Sequence, residues 1–130
     1  MSHTTTLAVR FYELDPYGHV NHSVYVQYFE AARVEWLSEV DYPLELLHSE
    51  GIQVVVTELN TKYLGSAGPG DVLTVKSELA ALRRASMSFR QRILRDHQVL
   101  VEQVITAATV TTEGRPTRVP ERLASALSSS

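Results

Sequence analysis

The sequence predicts an α+β fold in which a curled antiparallel sheet of about five strands wraps around one long central helix. Two observations predict it. Apolar residues recur at helical spacing from the low twenties to Val40, and after Gly51 the apolar period changes to two. Because a lone helix can bury its apolar surface only against the sheet, we expect it to lie across the concave face.

The first elements are a strand at 4–12, rich in Thr, Val, Phe and Tyr, and a Pro-containing turn at 15–18. Asn21 or Ser23 is a candidate N-cap for the helix, which we expect to end near Val40. The spacing i, i+3, i+4, i+7 that marks its buried stripe is carried by Tyr25, Tyr28, Phe29, Ala32 and Trp36.

A short second helix at 43–49, ended by Gly51, precedes four strands. Short connections predict that these strands are antiparallel neighbours. A terminal helical turn is predicted at 120–127, and the Ser-rich residues 124–130 resemble a flexible tail of one domain that spans 1–130. The four strands are predicted at 52–64, 71–82, 86–95 and 99–112.

Composition excludes several classes of function. Lys and Arg number 12 against 15 Asp and Glu, so the net charge of −3 gives no electrostatic basis for binding nucleic acid. The chain has no cysteine, which excludes disulfides, zinc–cysteine sites and cysteine nucleophiles. No signal peptide and no apolar run of about 20 residues are seen, so we expect a cytoplasmic protein without a membrane span.

A polar turn that runs directly into the long helix is the strongest candidate site. Asp15, His19, Asn21 and His22 lie within eight residues of one another. A helix start has unpaired N–H groups and a partial positive charge, and both stabilise developing negative charge. A carboxylate beside such a start can act on an electrophilic carbonyl.

The turn and the first helical residues also form a family pattern: Asp15, Gly18, His22 and Tyr25, then Tyr-Phe-Glu-Ala-Ala-Arg at 28–33. This pattern resembles the hotdog-fold acyl-CoA thioesterases of the 4-hydroxybenzoyl-CoA thioesterase-like family. The similarity extends over roughly 7–123, through Lys-Tyr-Leu at 62–64 and Thr-Glu-Gly-Arg-Pro at 112–116.

The resemblance implies a thioester hydrolase that releases a carboxylic acid from an acyl-CoA. Asp15 is then the nucleophile or the general base, and the backbone N–H of His22 is the main oxyanion donor. Gly18, Asn21 and Tyr25 are expected to contact the substrate. No cofactor is expected, because coenzyme A is part of the substrate. No metal is expected either, because one Asp and two His on a loop lack a defined ligand spacing. From the residues alone, Asp15 is equally interpreted as a turn residue that accepts a local hydrogen bond.

The run Gly-His-Val-Asn-His at 18–22 is similar to a motif of acyl-acyl carrier protein thioesterases, which share the fold. In that group an Asn stands where this chain has Tyr17. His19 is therefore a candidate to orient Asp15 or to carry the proton to the leaving thiolate. Two alternatives follow: an acyl carrier protein as the substrate carrier, and a non-catalytic module that binds acyl groups.

Two further candidates lie outside the turn. Arg83 and Arg84 suit bidentate contacts to the phosphates of coenzyme A, although a solvated basic face is the simpler interpretation. Glu30, two turns into the helix, is a reserve catalytic acid because other hotdog thioesterases use a helix Glu.

The last strand suggests a second subunit. Apolar residues occupy both of its faces, and one helix cannot cover both. We therefore expect a homo-oligomer, a dimer or a dimer of dimers (a homotetramer), with sites between subunits. The sequence leaves the acyl group open among aromatic, short aliphatic and long aliphatic chains.

Overall fold

The long helix α1 (His22–Glu39) lies across one face of a five-stranded antiparallel sheet, which confirms the predicted α+β fold. The computed structural model describes all residues from Met1 to Ser130. The other elements are β1 (Ser2–Ala8), a 3-10 turn (Phe11–Glu13), α2 (Leu44–Ser49), β2 (Ile52–Tyr63), β3 (Val72–Leu82), β4 (Ser86–Arg95), β5 (Gln98–Thr111) and α3 (Glu121–Ser129).

Helix α1 buries the stripe that its spacing predicts. Tyr25, Phe29 and Ala32 belong to a core cluster near the start of the helix, and Trp36 belongs to a second cluster near its end. Each of the four is at most 2% exposed. The helix is thus fixed along its length, which also fixes its first turn relative to the sheet.

The strand order β1-β3-β4-β5-β2 corrects one prediction. We expected the four strands after Gly51 to be neighbours in chain order, but β2 pairs with β5 and not with β3. The reason is the connection at 64–71, which is long enough to carry the chain across the sheet. A hairpin is therefore not required between β2 and β3. Both β1 and β2 are edge strands.

The first strand is shorter than predicted. It ends at Ala8, and Phe11–Glu13 forms a 3-10 turn in place of the expected strand end. Glu13 explains the change, since its carboxylate accepts hydrogen bonds from the N–H of Arg10 at 2.7 Å and the Arg10 guanidinium at 3.3 Å. The β-forming side chains of Phe11 and Tyr12 are left 85% and 69% exposed.

The C-terminal residues are helical, which corrects the expected flexible tail at 124–130. Leu123 and Leu127 lie one turn apart on α3 and are completely buried in the cluster around Trp36. The Ser130 hydroxyl also accepts a hydrogen bond from Trp36 Nε1 at 3.0 Å. The predicted helical turn at 120–127 is thus present, and it continues to Ser129. No helix of the chain combines the length and apolar character that crossing a membrane requires.

Candidate active site

The turn before α1 is a tight, internally bonded loop. Leu14 and Val20 form an isolated antiparallel bridge at its base. Inside it, the Asp15 N–H donates to the His19 carbonyl at 2.7 Å, and the Gly18 N–H donates to the Asp15 carbonyl at 3.0 Å. Gly18 has φ +79°, a left-handed conformation that glycine adopts without strain. The turn therefore holds Asp15 in one place relative to the helix start.

The Asp15 carboxylate is bonded on one oxygen only. Its Oδ1 accepts from the N–H of Tyr17 at 2.9 Å and from the N–H of His19 at 3.2 Å, while Oδ2 has no partner within the chain. The local turn contact considered from the sequence is therefore present. It orients the carboxylate and leaves one oxygen free, so the turn contact and a chemical role are compatible.

The start of α1 offers one free donor. Asn21 is the N-cap, and its Oδ1 accepts from the N–H and the hydroxyl of Ser23 at 3.0 and 2.8 Å. The Val24 N–H donates to the Asn21 carbonyl at 2.9 Å. The His22 N–H has no partner within the chain. Of the first three helical N–H groups, only that of His22 is available to an external oxygen, and the helix dipole adds positive potential there.

The loop at 64–71 contacts both the turn that carries Asp15 and the first turn of α1. The Ala67 carbonyl accepts from the Val20 N–H at 2.9 Å, and the Ala67 N–H donates to the Tyr25 hydroxyl at 2.8 Å. The Tyr63 hydroxyl donates to the His22 carbonyl at 2.8 Å. Burial raises the pKa of Tyr25, and the Asp15 charge raises it further. Tyr25 thus contributes to the scaffold through both its ring and its hydroxyl.

Hydrogen bonds involving Asp71 and Arg95 hold the same loop in place. Asp71 Oδ2 accepts from the Gly68 N–H at 2.8 Å and from Arg95 at 2.9 Å. Arg95 also donates to the Ser66 carbonyl at 3.2 Å. The Gly68 N–H, followed by the Arg95 guanidinium, holds the pKa of Asp71 below its usual value. The carboxylate that tethers this loop is therefore kept in its charged, bonding form.

A buried acid that the sequence analysis missed lies beside the site. Glu13 is 9% exposed, and its Oε1 accepts from the Tyr28 hydroxyl at 2.7 Å. Burial, and then the bond to Glu13, raises the pKa of Tyr28. The Glu13 carbonyl accepts from the Asn21 N–H at 2.9 Å. Glu13 therefore connects the turn to the helix, and no local sequence signal separates it from an ordinary surface acid.

The side chains of His19 and His22 are both exposed. The His22 ring lies edge-on to the Tyr63 ring, with centroids 6.5 Å apart. The His19 ring makes no hydrogen bond within the chain and is free to approach a bound molecule. The structure thus brings Asp15, Gly18, His19, Asn21, His22 and Tyr25 together around one helix start.

Arg83 and Arg84 are not brought to this site within one chain. They lie in the β3–β4 turn, where Arg83 donates to Ser88 Oγ at 3.1 Å and the Arg84 carbonyl accepts from the Val119 N–H at 2.8 Å. The site lies at the other end of the same two strands, beside Asp71 and Arg95. Strand rise places the two ends roughly 30 Å apart. Within one chain, these arginines are therefore distant from Asp15.

Glu30 is exposed and lies roughly 12 Å along the helix from its start. It lines a mostly apolar cavity of about 100 Å³, together with Arg33 and residues of β2, β4 and β5. Burial lowers the pKa of Arg33, and the nearby Glu30 charge opposes that shift. Glu30 therefore lines a cavity that is separate from the Asp15 turn.

An uncovered apolar strip runs beside α1. The β2 residues Val56, Leu59 and Tyr63 face the helix side of the sheet, because they pair with Ala107, Ile105 and Val101, which are buried in the core. The helix nevertheless leaves them 44–46% exposed. The apolar strip consists of these three residues with Val34 and Leu44, and it begins at Tyr63 beside His22.

Comparison with known proteins finds similar sequences and folds among thioesterases. The sequence pattern of the thioesterase-like superfamily matches residues 9–127. The chain is 30% identical over 125 residues to the chloroplastic acyl-acyl carrier protein thioesterase ATL2 of Arabidopsis thaliana, covering 95% of this chain but only 66% of that protein. It is 34% identical to the long-chain acyl-CoA thioesterase FadM of Escherichia coli, covering 78% of each. A crystal structure of a probable thioesterase from Bartonella henselae superposes with a TM-score of 0.89 at 29% identity, covering 92% of this chain and all of that one.

Proposed function

Since the chain belongs to the thioesterase-like superfamily, we propose that it hydrolyses the thioester of an acyl-CoA to a carboxylic acid and free coenzyme A. One observation carries the proposal. A carboxylate with one free oxygen, Asp15 Oδ2, is held beside a helix start whose one unpaired N–H belongs to His22. An acid beside a fixed oxyanion donor is the pair that acyl transfer requires.

The chemistry follows from these two groups. Asp15 Oδ2 either attacks the carbonyl carbon directly or removes a proton from a water that attacks it. The carbonyl oxygen becomes an oxyanion, and the His22 N–H with the helix dipole stabilises it. Collapse of the intermediate expels the coenzyme A thiolate. In the direct route this leaves an anhydride of the acyl group with Asp15, which water then hydrolyses to release the carboxylic acid and restore the carboxylate. Overall, water supplies hydroxyl to the acyl carbon and a proton to the sulfur, so the reaction needs no cofactor.

His19 is assigned the proton at the leaving group. Its backbone N–H binds Asp15 Oδ1, so the ring is carried on the turn that positions the acid. The ring is exposed and unbonded, which leaves it able to approach the departing sulfur. An imidazole changes charge near neutral pH and is suited to this transfer. Alternatively, the ring orients Asp15 once substrate is bound.

The remaining site residues shape the space around the thioester. Gly18 provides a turn without a side chain, and Asn21 can contact substrate only through its amide nitrogen, since its oxygen caps the helix. Tyr25 backs the site. We also propose that Arg83 and Arg84 of one subunit bind the phosphates of a coenzyme A whose thioester lies in the site of another subunit.

We expect the wild-type chain to release thiol from at least one member of a panel of aromatic, short aliphatic and long aliphatic acyl-CoA thioesters. A thiol reagent reads this reaction without background, because the chain has no cysteine. The preferred acyl group identifies the substrate class. If acyl-CoA binds tightly and none of the panel is hydrolysed, the chain is a non-catalytic acyl-binding module and the proposal is wrong.

An acyl carrier protein is the second candidate carrier. The match to a plant acyl-acyl carrier protein thioesterase covers 95% of this chain, and His-Val-Asn at 19–21 is similar to the motif of that group. The same acyl chain presented on coenzyme A and on acyl carrier protein distinguishes the two. A higher kcat/KM on the carrier protein favours the second candidate.

We further propose that the active form is a homo-oligomer in which a second copy covers the apolar strip. Apolar surface that is contiguous with a site and adjoins an unpaired strand edge suits such an interface. The strip begins at Tyr63, one hydrogen bond from His22, so a subunit bound there also closes the site. This arrangement can bring arginines of one subunit toward Asp15 of another.

Leu59→Glu is expected to convert the oligomer to monomer and to lower kcat/KM, because it places a charge in the middle of the apolar strip. Light scattering coupled to size exclusion measures the mass. Val104→Glu is the matched control, since Val104 is equally exposed at 43% but faces the opposite side of the sheet. Dissociation by Val104→Glu and not by Leu59→Glu would show that the strip is not the interface.

A further inference from the structure

A second cluster of ligand-type side chains lies far from the thioester site. It consists of His3 on the edge strand β1 and of Glu35 and Glu39, one turn apart on α1. One nitrogen of His3 and one carboxylate oxygen of each Glu all lie within 4.8 Å of one another. Glu39 is the last residue of α1 and His22 is the first, so helix rise separates the two sites by roughly 25 Å.

His3 is an unusual residue for this position. It is only 6% exposed, and neither of its ring nitrogens makes a hydrogen bond within the chain. Its Nε2 points at the carboxylates and lies 3.1 Å from Glu39 Oε2. The ring stacks on Trp36 at 6.1 Å between centroids, which fixes its plane. Buried imidazole nitrogens almost always have hydrogen-bond partners, but here Nδ1 has none, and Nε2 meets Glu39 at ion-pair distance without hydrogen-bond geometry.

The donor set fits a particular class of ion. An imidazole nitrogen with two carboxylate oxygens suits first-row transition ions, whereas magnesium and calcium prefer oxygen ligands alone. Ligands around zinc lie about 2.0–2.2 Å from the metal, so in a tetrahedron they lie roughly 3.4 Å from one another. Glu35 and Glu39 are exposed on the helix surface and can close to that distance by rotating their side chains, while His3 stays fixed.

We propose that His3 Nε2, Glu35 and Glu39 bind a divalent transition ion of the zinc class, with water in the remaining position. Such an ion joins the edge strand β1 to the C-terminal half of α1. It is separate from the proposed hydrolysis, in which no metal takes part. Its role is to stabilise the N-terminal edge of the fold.

The test uses the full 130-residue chain, freed of purification tags and treated with a chelator. Zinc titrated in a calorimeter is expected to bind at one ion per chain and to raise the melting temperature. Cobalt is expected to give visible d–d absorption at the same stoichiometry. Glu35→Gln and Glu39→Gln, both at exposed positions that tolerate substitution, are each expected to weaken binding by roughly tenfold or more.

His97→Gln and Glu45→Gln are the matched controls, because both residues are exposed and lie outside the cluster. They are expected to bind zinc as the wild type does. The proposal is overturned if the wild type binds no stoichiometric zinc, if both Glu variants keep wild-type affinity, or if a control loses binding. It is also overturned if Glu39→Gln lowers the melting temperature while zinc affects neither protein, since His3 and Glu39 then form only an ion pair.

Discussion

Asp15→Asn is expected to lower kcat for thioester hydrolysis by about 10³-fold, within the range of 10² to 10⁴ measured for loss of a catalytic acid or base. The amide oxygen of Asn can still accept from the N–H groups of Tyr17 and His19, so the turn persists. The amide nitrogen that replaces Oδ2 can neither attack a carbonyl nor take a proton from water. Thiol release under steady-state conditions measures the effect, and KM is expected to change little.

Asp41→Asn is the matched control for that variant. Asp41 is an exposed acid at the far end of α1, with φ +61°, a conformation that Asn accepts as readily as Asp. Its substitution is expected to leave kcat within a few-fold of the wild type. Activity of Asp15→Asn comparable to that of this control, with the oligomer intact, would remove Asp15 from the reaction.

Tyr25→Ala is expected to lower the free energy of unfolding by about 3–5 kcal/mol, the range for deleting a buried aromatic side chain. The ring is 2% exposed, and its hydroxyl accepts the Ala67 N–H. Because the Ala67 carbonyl also receives the Val20 N–H, the loss is expected to loosen the turn that carries Asp15 and to lower kcat/KM. Urea denaturation and thiol release measure the two effects.

Two further variants divide that effect. Tyr25→Phe keeps the ring but leaves the Ala67 N–H without its acceptor. We expect this to lower the free energy of unfolding by about 1–3 kcal/mol. Tyr12→Ala removes an equally large but 69% exposed ring and is expected to change stability by about 0.5 kcal/mol or less. If Tyr25→Phe is as stable and as active as the wild type, the hydroxyl contact to Ala67 does not support the site.

The elements with strong periodicity could be predicted from the sequence. Helix α1 was expected to reach Val40 from a cap at Asn21 or Ser23, and the structure places the cap at Asn21 and the last helical residue at Glu39. The β3, β4 and β5 boundaries also agree within a residue. These elements follow local rules, since side-chain spacing and capping residues determine them before any tertiary contact forms.

The features that failed depend on distant contacts. The loop at 64–71 permits β2 to pair either with β3 or with β5, and the pairing with β5 that is observed depends on contacts between distant strands. A helical turn at 120–127 was predicted, but its extension to Ser129, in place of a flexible tail, depends on the packing of Leu123 and Leu127 in the cluster around Trp36. The 3-10 turn replaced a predicted strand end because Glu13 bonds to Arg10.

The candidate site divides in the same way. Asp15, Gly18, His19, Asn21 and His22 are neighbours in the chain, so their spacing alone was sufficient to group them. Ala67 and Tyr63 reach the site from more than 40 residues away. Tyr63 lies in the family pattern at 62–64, but that pattern does not place it beside His22, and no sequence pattern marks Ala67. Arg83 and Arg84 were grouped with the site by composition, and only the strand direction shows that one chain holds them at the opposite end.

A single-turnover experiment tests the central claim, that Asp15 performs the chemistry at the start of α1, most directly. The preferred acyl-CoA is mixed with an excess of wild-type or of Asp15→Asn protein, and the release of thiol is followed over time. Enzyme excess separates hydrolysis from substrate binding and product release. We predict that the wild type releases one thiol per substrate molecule and that Asp15→Asn binds the same thioester but releases thiol about 10³-fold more slowly. Equal single-turnover rates for the two proteins would contradict the proposed mechanism.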